Sequence, residues 1–234
     1  MGAYSGPEIN ESGLVLCLDA GNTKSYPGSG TDWSDLSGNG NNGSLVNMDG
    51  ANLDSANGGS LTFDVSNESI NCGNILNFTT QDFSFNIFFY LTSIQTNQNG
   101  FGPHLLYKGP YENNGYYLAL TNTNPSGGSF VTNQGPGQFQ FTTFNNSLVV
   151  GSWNCLSLVR NGSSVTFYIN GIDETKSPQS HNNPSSSSND FLLGAYGNFI
   201  YSNVKIASFQ AYNRALSASE IKQNFNALRG RFGL

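Results

Sequence analysis

No apolar pattern of helical period is sustained anywhere before Ser217, which confines nearly the whole chain to β-structure. The final segment is the exception. Ser217 suits a helix N-cap, Glu220 three residues on completes a capping box, and Leu216 with Ile221 supplies the hydrophobic staple. Ile221, Phe225 and Leu228 then fall at i, i+4 and i+7, an apolar stripe that must lie on another surface, with Gly230 as the stop signal. The sequence predicts one short C-terminal α-helix docked on a β-domain.

The clearest strand runs from Phe83 to Thr92. Phe83, Phe85, Ile87, Phe89 and Leu91 share one face, and Ser84, Asn86, Phe88, Tyr90 and Thr92 the other. The first face belongs to a core; the second forms a shallow platform or lies beneath a loop. Asn161-Gly162 and Asn170-Gly171 accept positive φ, so Trp153 to Arg160, Ser164 to Ile169 and Ile172 to Lys176 should form a three-stranded meander. Further strands are expected at 14–18, 60–65, 105–108, 116–120, 139–144, 191–195 and 204–212. Many short strands without βαβ alternation describe an all-β fold, an antiparallel two-sheet jelly-roll sandwich closed by the helix. Residues 1–12 read as an extended arm, either a tether to a neighbouring subunit or a loose terminus, and 13–234 as a single domain. Residues 177–190, with serine at 185–188, read as a low-complexity loop.

Four stretches carry a family resemblance. They are Gly13 to Ala20, Trp33 to Gly43, the run from Trp153 through Asn170-Gly171, and the closing Tyr212-Asn213-Arg214-Ala215-Leu216-Ser217 with Glu220-Ile221. In this order they resemble the laminin-G-like domains of the concanavalin A-like lectin/glucanase superfamily. The resemblance spans roughly residues 13 to 228 and implies that superfamily's jelly roll, a fold that serves lectins, glycosidases, adhesion modules and viral coat parts alike. The ends, Leu18 to Asn22 with Tyr26 to Thr31 and Gln223 to Ala227 with Arg229 to Gly233, are similar to laminin-G-like virion proteins of tailed bacteriophages. That likeness implies a non-enzymatic virion structural protein, a capsid decoration, head fibre or tail component assembled in the host cytoplasm. Its implied partners are further copies of itself, other virion proteins and host surface polysaccharide. The alternative is a carbohydrate-binding module with no virion role.

Charge excludes other classes. Net charge is −6, and the nine Lys and Arg form no run, which argues against a nucleic-acid surface. No apolar run reaches the length of a membrane span, and residues 1–7 lack the parts of a signal peptide. Three cysteines, Cys17, Cys72 and Cys155, lie in strand contexts and are expected as buried free thiols. Charged residues make up only 10% of the chain while aromatics reach 13%. Such a surface suits packing against neighbours or contact with glycans through amides, hydroxyls and rings; it equally describes a turn-rich β-protein with long loops.

Catalytic chemistry finds no support. A retaining glucanase needs two carboxylates about 5 Å apart, usually from a Glu-X-Asp-X-Glu strand, and none occurs; the adjacent Asp173-Glu174 would point to opposite faces. His104 and His181 fit neither a hydrolytic triad nor zinc spacing. No cofactor is required. A structural calcium is the metal to consider, with Asp19, Asn22, Asp32 and Asp35 as hard oxygen donors, although Asp35 could instead cap its own turn. The Ile-Asp-Glu-Val run of relatives is here Ile206-Ala207-Ser208-Phe209, so any role of that acidic pair is missing. Glycan binding needs exposed rings beside amides. The candidates are His104, Tyr107, Tyr111, Asn113 and Tyr116, with neighbouring Asn114 and Tyr117, in a loop spanning 101–117, and Trp33; Phe199 with Tyr201 forms a similar pair. Each could instead pin its loop to the sandwich.

Overall fold

A computed structural model describes residues 8–94, 102–122 and 126–234. Two large sheets face each other, and every strand pairing is antiparallel. The first sheet runs in the order Ile172–Asp173, Ser164–Ile169, Trp153–Asn161, Phe83–Leu91, Asn203–Tyr212, Ser60–Asp64 and Leu53–Asp54, and Leu14–Asp19 also pairs with Asn203–Tyr212. The second runs Thr175–Ser177, Gln138–Leu148, Ser126–Gly135, Tyr116–Leu120, His104–Tyr107, Leu192–Leu193, Ser69–Asn71, Gly43–Val46 and Asp32–Trp33. The fold is the expected two-sheet sandwich with one short helix, Ala218–Leu228.

The alternation in Phe83–Leu91 places Phe83, Phe85, Ile87, Phe89 and Leu91 in the space between the sheets. Phe83 stacks there on Tyr116 of the facing sheet at 5.4 Å, and Phe85 on Phe209 at 5.8 Å. Burying each such ring contributes about 1.5–3 kcal/mol, which makes this strand the centre of the core.

The other face of the same sheet is covered by neither a loop nor left open: the C-terminal helix lies on it. Ser217 accepts from the Glu220 amide and the Glu220 side chain returns to Ser217, as the capping box requires. Phe225 and Phe232 pack on Phe88, at ring distances of 6.4 and 5.1 Å. Leu216 and Ile221 join Val159 and Tyr212. Beneath the helix the buried polar groups satisfy one another: Asn86 donates to Gln210 at 2.5 Å, and Ser157 donates to Asn86 at 2.6 Å. Arg214 fixes the strand–helix corner, 2.7 Å from Glu220 and donating to the Ser12 carbonyl. The helix does not stop at Gly230; a 3-10 turn, Arg229–Arg231, continues it, and the left-handed residue is Gly233 at φ 69°. Residues 8–12 lie along the same helix, Asn10 donating to Asn224 and Gln223 donating to the Glu8 carbonyl. The rest of the expected arm, residues 1–7, lies outside the described residues.

Two expectations need correction. The meander's third strand is only Ile172–Asp173, after which Thr175–Ser177 crosses to pair with Gln138–Leu148 in the other sheet. The reading of 177–190 as a simple loop missed its packing. It closes the open side of the sandwich: both ring nitrogens of His181 lie 2.9 Å from threonine hydroxyls, Thr132 and Thr142, and Arg160 donates to Asn183.

Candidate functional site

The outer face of the second sheet is aromatic where the first sheet's outer face is filled by the helix. In Tyr116–Leu120 alternate residues point inward, and Tyr117 and Ala119 point out, beside His104, Tyr107, Val131 and Leu192. Strand register aligns Asn71, Leu192, Tyr107 and Tyr117 in one row across four strands. A small hairpin, Ala195–Tyr196 with Ile200–Tyr201, folds over this face. Gly194 at φ 77° turns the chain into it, pressed so closely on Phe63 that an added Cβ would lie 2.6 Å from the ring. Tyr196 then inserts among His104, Tyr107 and Tyr117, at ring distances of 4.8, 5.0 and 5.3 Å. Its hydroxyl also accepts from the Tyr111 amide at 2.6 Å, tying the 108–115 loop to the hairpin.

This anchoring holds Phe199 at the hairpin tip, 86% exposed. Its ring borders a cavity of about 340 Å³ lined also by Tyr107, Leu192, Asn198, Asn71, Asn189 and Asp190. A second depression of about 150 Å³, formed with Pro103, Ile200 and Tyr201, also borders the ring. Asp190 is exposed; one carboxylate oxygen accepts from Asn71 at 2.9 Å, and the other accepts no hydrogen bond among the described residues. Asn198 is exposed and lines the cavity, its side-chain amide without a hydrogen bond among the described residues. Burial and the neighbouring Tyr196 push the Tyr107 phenol up to about 12, so it stays a protonated donor. Behind the rim, buried Lys108 donates to Asn74 at 2.7 Å and to the Asn189 carbonyl at 2.5 Å. Desolvation lowers the Lys108 amine to about 8 against the opposing pull of Asp190. The site combines an exposed ring, unused hydrogen-bonding groups and a rigid base.

Several sequence candidates lie elsewhere. Tyr116 is fully buried between the sheets, donating to the Leu76 carbonyl at 2.6 Å, so its ring offers no face to a ligand. Trp33 is equally buried in the core. His104 is 1% exposed under Tyr196, and desolvation lowers it to about 4, leaving a neutral packing ring. Of the aromatic candidates placed in a 101–117 loop, only Tyr107 lines the cavity, and it does so from a strand; Phe101 lies outside the described residues. Tyr111 is 42% exposed and packs on Phe139 at 4.6 Å, with exposed Asn113 on the same loop, away from the cavity lining. Asn71, Asp190 and Asn198 escaped sequence reasoning. Asn71 and Asp190 are 119 positions apart, and only the insertion of Leu192–Leu193 beside Ser69–Asn71 joins them.

The calcium candidates do not converge on a site. Asp19 pairs with Arg231 at 2.8 Å. Asp35 accepts from the amides of Cys17, Ser37 and Asn41 and from the Ser37 hydroxyl, the capping role open to it in the sequence. Asn22 accepts from the Lys24 amide, and Asp32 is exposed on an edge strand. Among the described residues no three His, Cys, Asp or Glu side chains gather as metal ligands, and this donor set does not fit the ion.

The sandwich order agrees with the sequence comparison. Residues 58–222 match the laminin G-like family model described as the concanavalin A-like lectin/glucanases superfamily. The chain belongs to this superfamily. No curated protein matches the sequence. Solved structures share the laminin G-like fold at low identity. The binding domain of Paraclostridial Mosquitocidal Protein 1 superposes with a TM-score of 0.66 at 18% identity, over 93% of this chain and 52% of that one. Domain 4 of AbnA, a GH43 extracellular arabinanase from Geobacillus stearothermophilus solved with arabinotriose, gives 0.63 at 16%, covering 93% of this chain and all of that domain. Trypanosoma rangeli sialidase in complex with the inhibitor DANA gives 0.64 at 18%, over 93% of this chain and 33% of that one. The laminin G-like chain thus spans about half of the first of these and a third of the last. In this laminin G-like domain the helix occupies one outer face, and the cavity lies on the other.

Proposed function

We propose that this domain binds carbohydrate, without catalysis, in the cavity beside Phe199. The observation that carries the reading is an 86% exposed phenylalanine held by an anchored hairpin beside a cavity with free polar groups. An exposed ring beside a concavity with a few placed polar groups is the arrangement that ligand sites use, and the apolar face of a sugar ring can cover Phe199 while its hydroxyls reach Asp190, Asn198 and Tyr107. Membership of a lectin-containing superfamily and the arabinotriose on the structurally similar arabinanase domain support the class. Among the described residues Asp190 is the only carboxylate lining the cavity, and glycoside hydrolysis by the usual route takes two. Binding to immobilised oligosaccharides, followed by titration of the best of them, tests this. Phe199→Ala should lower affinity at least tenfold, about 1.4 kcal/mol, with no change in Tm. Unchanged affinity would remove the cavity from consideration.

Display of this domain on a bacteriophage particle is the finer form of the proposal, supported by the likeness of both chain ends to virion proteins. An antibody to the chain should label purified particles over the head or at the tail. Unlabelled particles would leave a lectin-like module without a virion role.

A further inference from the structure

Resting on the assignment of the Phe199 cavity to a sugar, we infer that the cavity selects an uncharged ring with two adjacent hydroxyls and rejects glycans carrying a carboxylate. The inference comes from which charges the cavity can present. Among the described residues its lining holds one acidic side chain, Asp190, and no Lys or Arg. The depression on the other side of Phe199 holds no charged side chain at all. The cation at the rim, Lys108, is 1% exposed, and its amine is engaged by Asn74 and the Asn189 carbonyl. Swinging it outward to meet an anion would break both bonds.

Asp190 shapes the preference from the other side. Asn71 donates to one oxygen at 2.9 Å, while the second accepts no hydrogen bond among the described residues. A carboxylate only accepts hydrogen bonds, so it suits two neighbouring sugar hydroxyls, both donors. A sialic acid or uronic acid group brought within a few ångströms would add a like charge that the buried Lys108 amine, already engaged by Asn74 and the Asn189 carbonyl, offsets only in part. At a solvent-open site this repulsion is worth roughly five- to tenfold in affinity.

The test compares neutral oligosaccharides with their sialylated and uronic-acid counterparts on the full chain, alongside Asp190→Asn and Phe199→Ala. Wild-type protein should bind the neutral member of each pair roughly five- to tenfold more tightly. Asp190→Asn should lose about tenfold affinity for the neutral ligand and no longer discriminate between the members of a pair. Equal or tighter binding of the acidic member by wild-type protein, still abolished by Phe199→Ala, would overturn the selectivity while leaving the sugar site standing. Discrimination that survives Asp190→Asn would also overturn it. Retention of no sugar at all, or binding indifferent to Phe199→Ala, would overturn the cavity's assignment and the selectivity with it.

Discussion

Acid should unfold this domain through its buried histidines, and His181 allows the effect to be measured. The ring is 2% exposed, held between the Thr132 and Thr142 hydroxyls at 2.9 Å each, with the Thr142 hydroxyl also accepting from the Gln179 amide. Desolvation, assisted by Arg160, lowers its pKa to about 4. An unfolded histidine titrates near 6.5. Because the folded value lies below the unfolded one, His181 contributes its full stability above the unfolded value. That contribution is lost as pH falls from about 6.5 towards 4, where the unfolded chain takes up a proton that the folded chain refuses. With those two values, stability falls by about 2 kcal/mol per ring between about pH 7.5 and about pH 5, and by about 3 kcal/mol below pH 4. His104, lowered to about 4 by its own burial, adds a loss of similar size. Urea titrations followed by tryptophan fluorescence measure this directly. For an m-value of about 2.5 kcal/mol/M, each ring should move the midpoint by about 0.8 M across that pH interval. His181→Gln should be less stable at neutral pH but lose about half of the pH dependence. If wild type and His181→Gln lose stability in parallel between those pH values, His181 is not held neutral, and the description of residues 177–190 as burying its ring against Thr132 and Thr142 is wrong.

Other perturbations test the remaining framework. Phe225→Ala removes the ring that lies on Phe88 and should cost about 3 kcal/mol; Cys155, buried in the same cluster with its thiol pushed well up by desolvation, should then react faster with a thiol reagent, which a helix that stays docked would prevent. Gly194→Ala combines a φ of 77° with a Cβ placed 2.6 Å from the Phe63 ring and should cost about 2–4 kcal/mol by thermal unfolding; a loss under 1 kcal/mol would mean that the hairpin's entry is not pinned as described.

Much of the fold was legible because its signals are local. The alternation in Phe83–Leu91, the two Asn-Gly turns and the Ser217–Glu220 box each lie within a few residues; the strand, the first hairpin and the helix followed as expected, and the second turn formed with a shorter third strand. The Ser126–Gly135 strand gave no such signal, since Gly127 and Gly128 carry no strand propensity. Glycine is there for packing: a Cβ on Gly128 would lie 2.6 Å from the Ala119 carbonyl and 2.7 Å from the Phe144 ring. The candidate site was legible only in part. Tyr116 and Tyr117 are adjacent and chemically alike, yet strand parity sends one into the core and the other to the outer face. The 116–120 strand is itself an expectation of the sequence, and its two-residue period alone separates the pair. Asp190 could not be found that way, because it acquires meaning only beside Asn71 and Phe199, whose proximity is set by sheet order.

The described chain ends meet on one side of the molecule. Glu8 and Asn10 run along the helix, and Arg231 reaches back to Asp19 of the first strand, all on the sheet face opposite Phe199. A linker, a biosensor chip or a neighbouring module joined at the C-terminal end therefore attaches at the back. The cavity would face outward from any such support, so many copies fixed side by side would present their binding surfaces in one direction and gain avidity from crowding without covering one another.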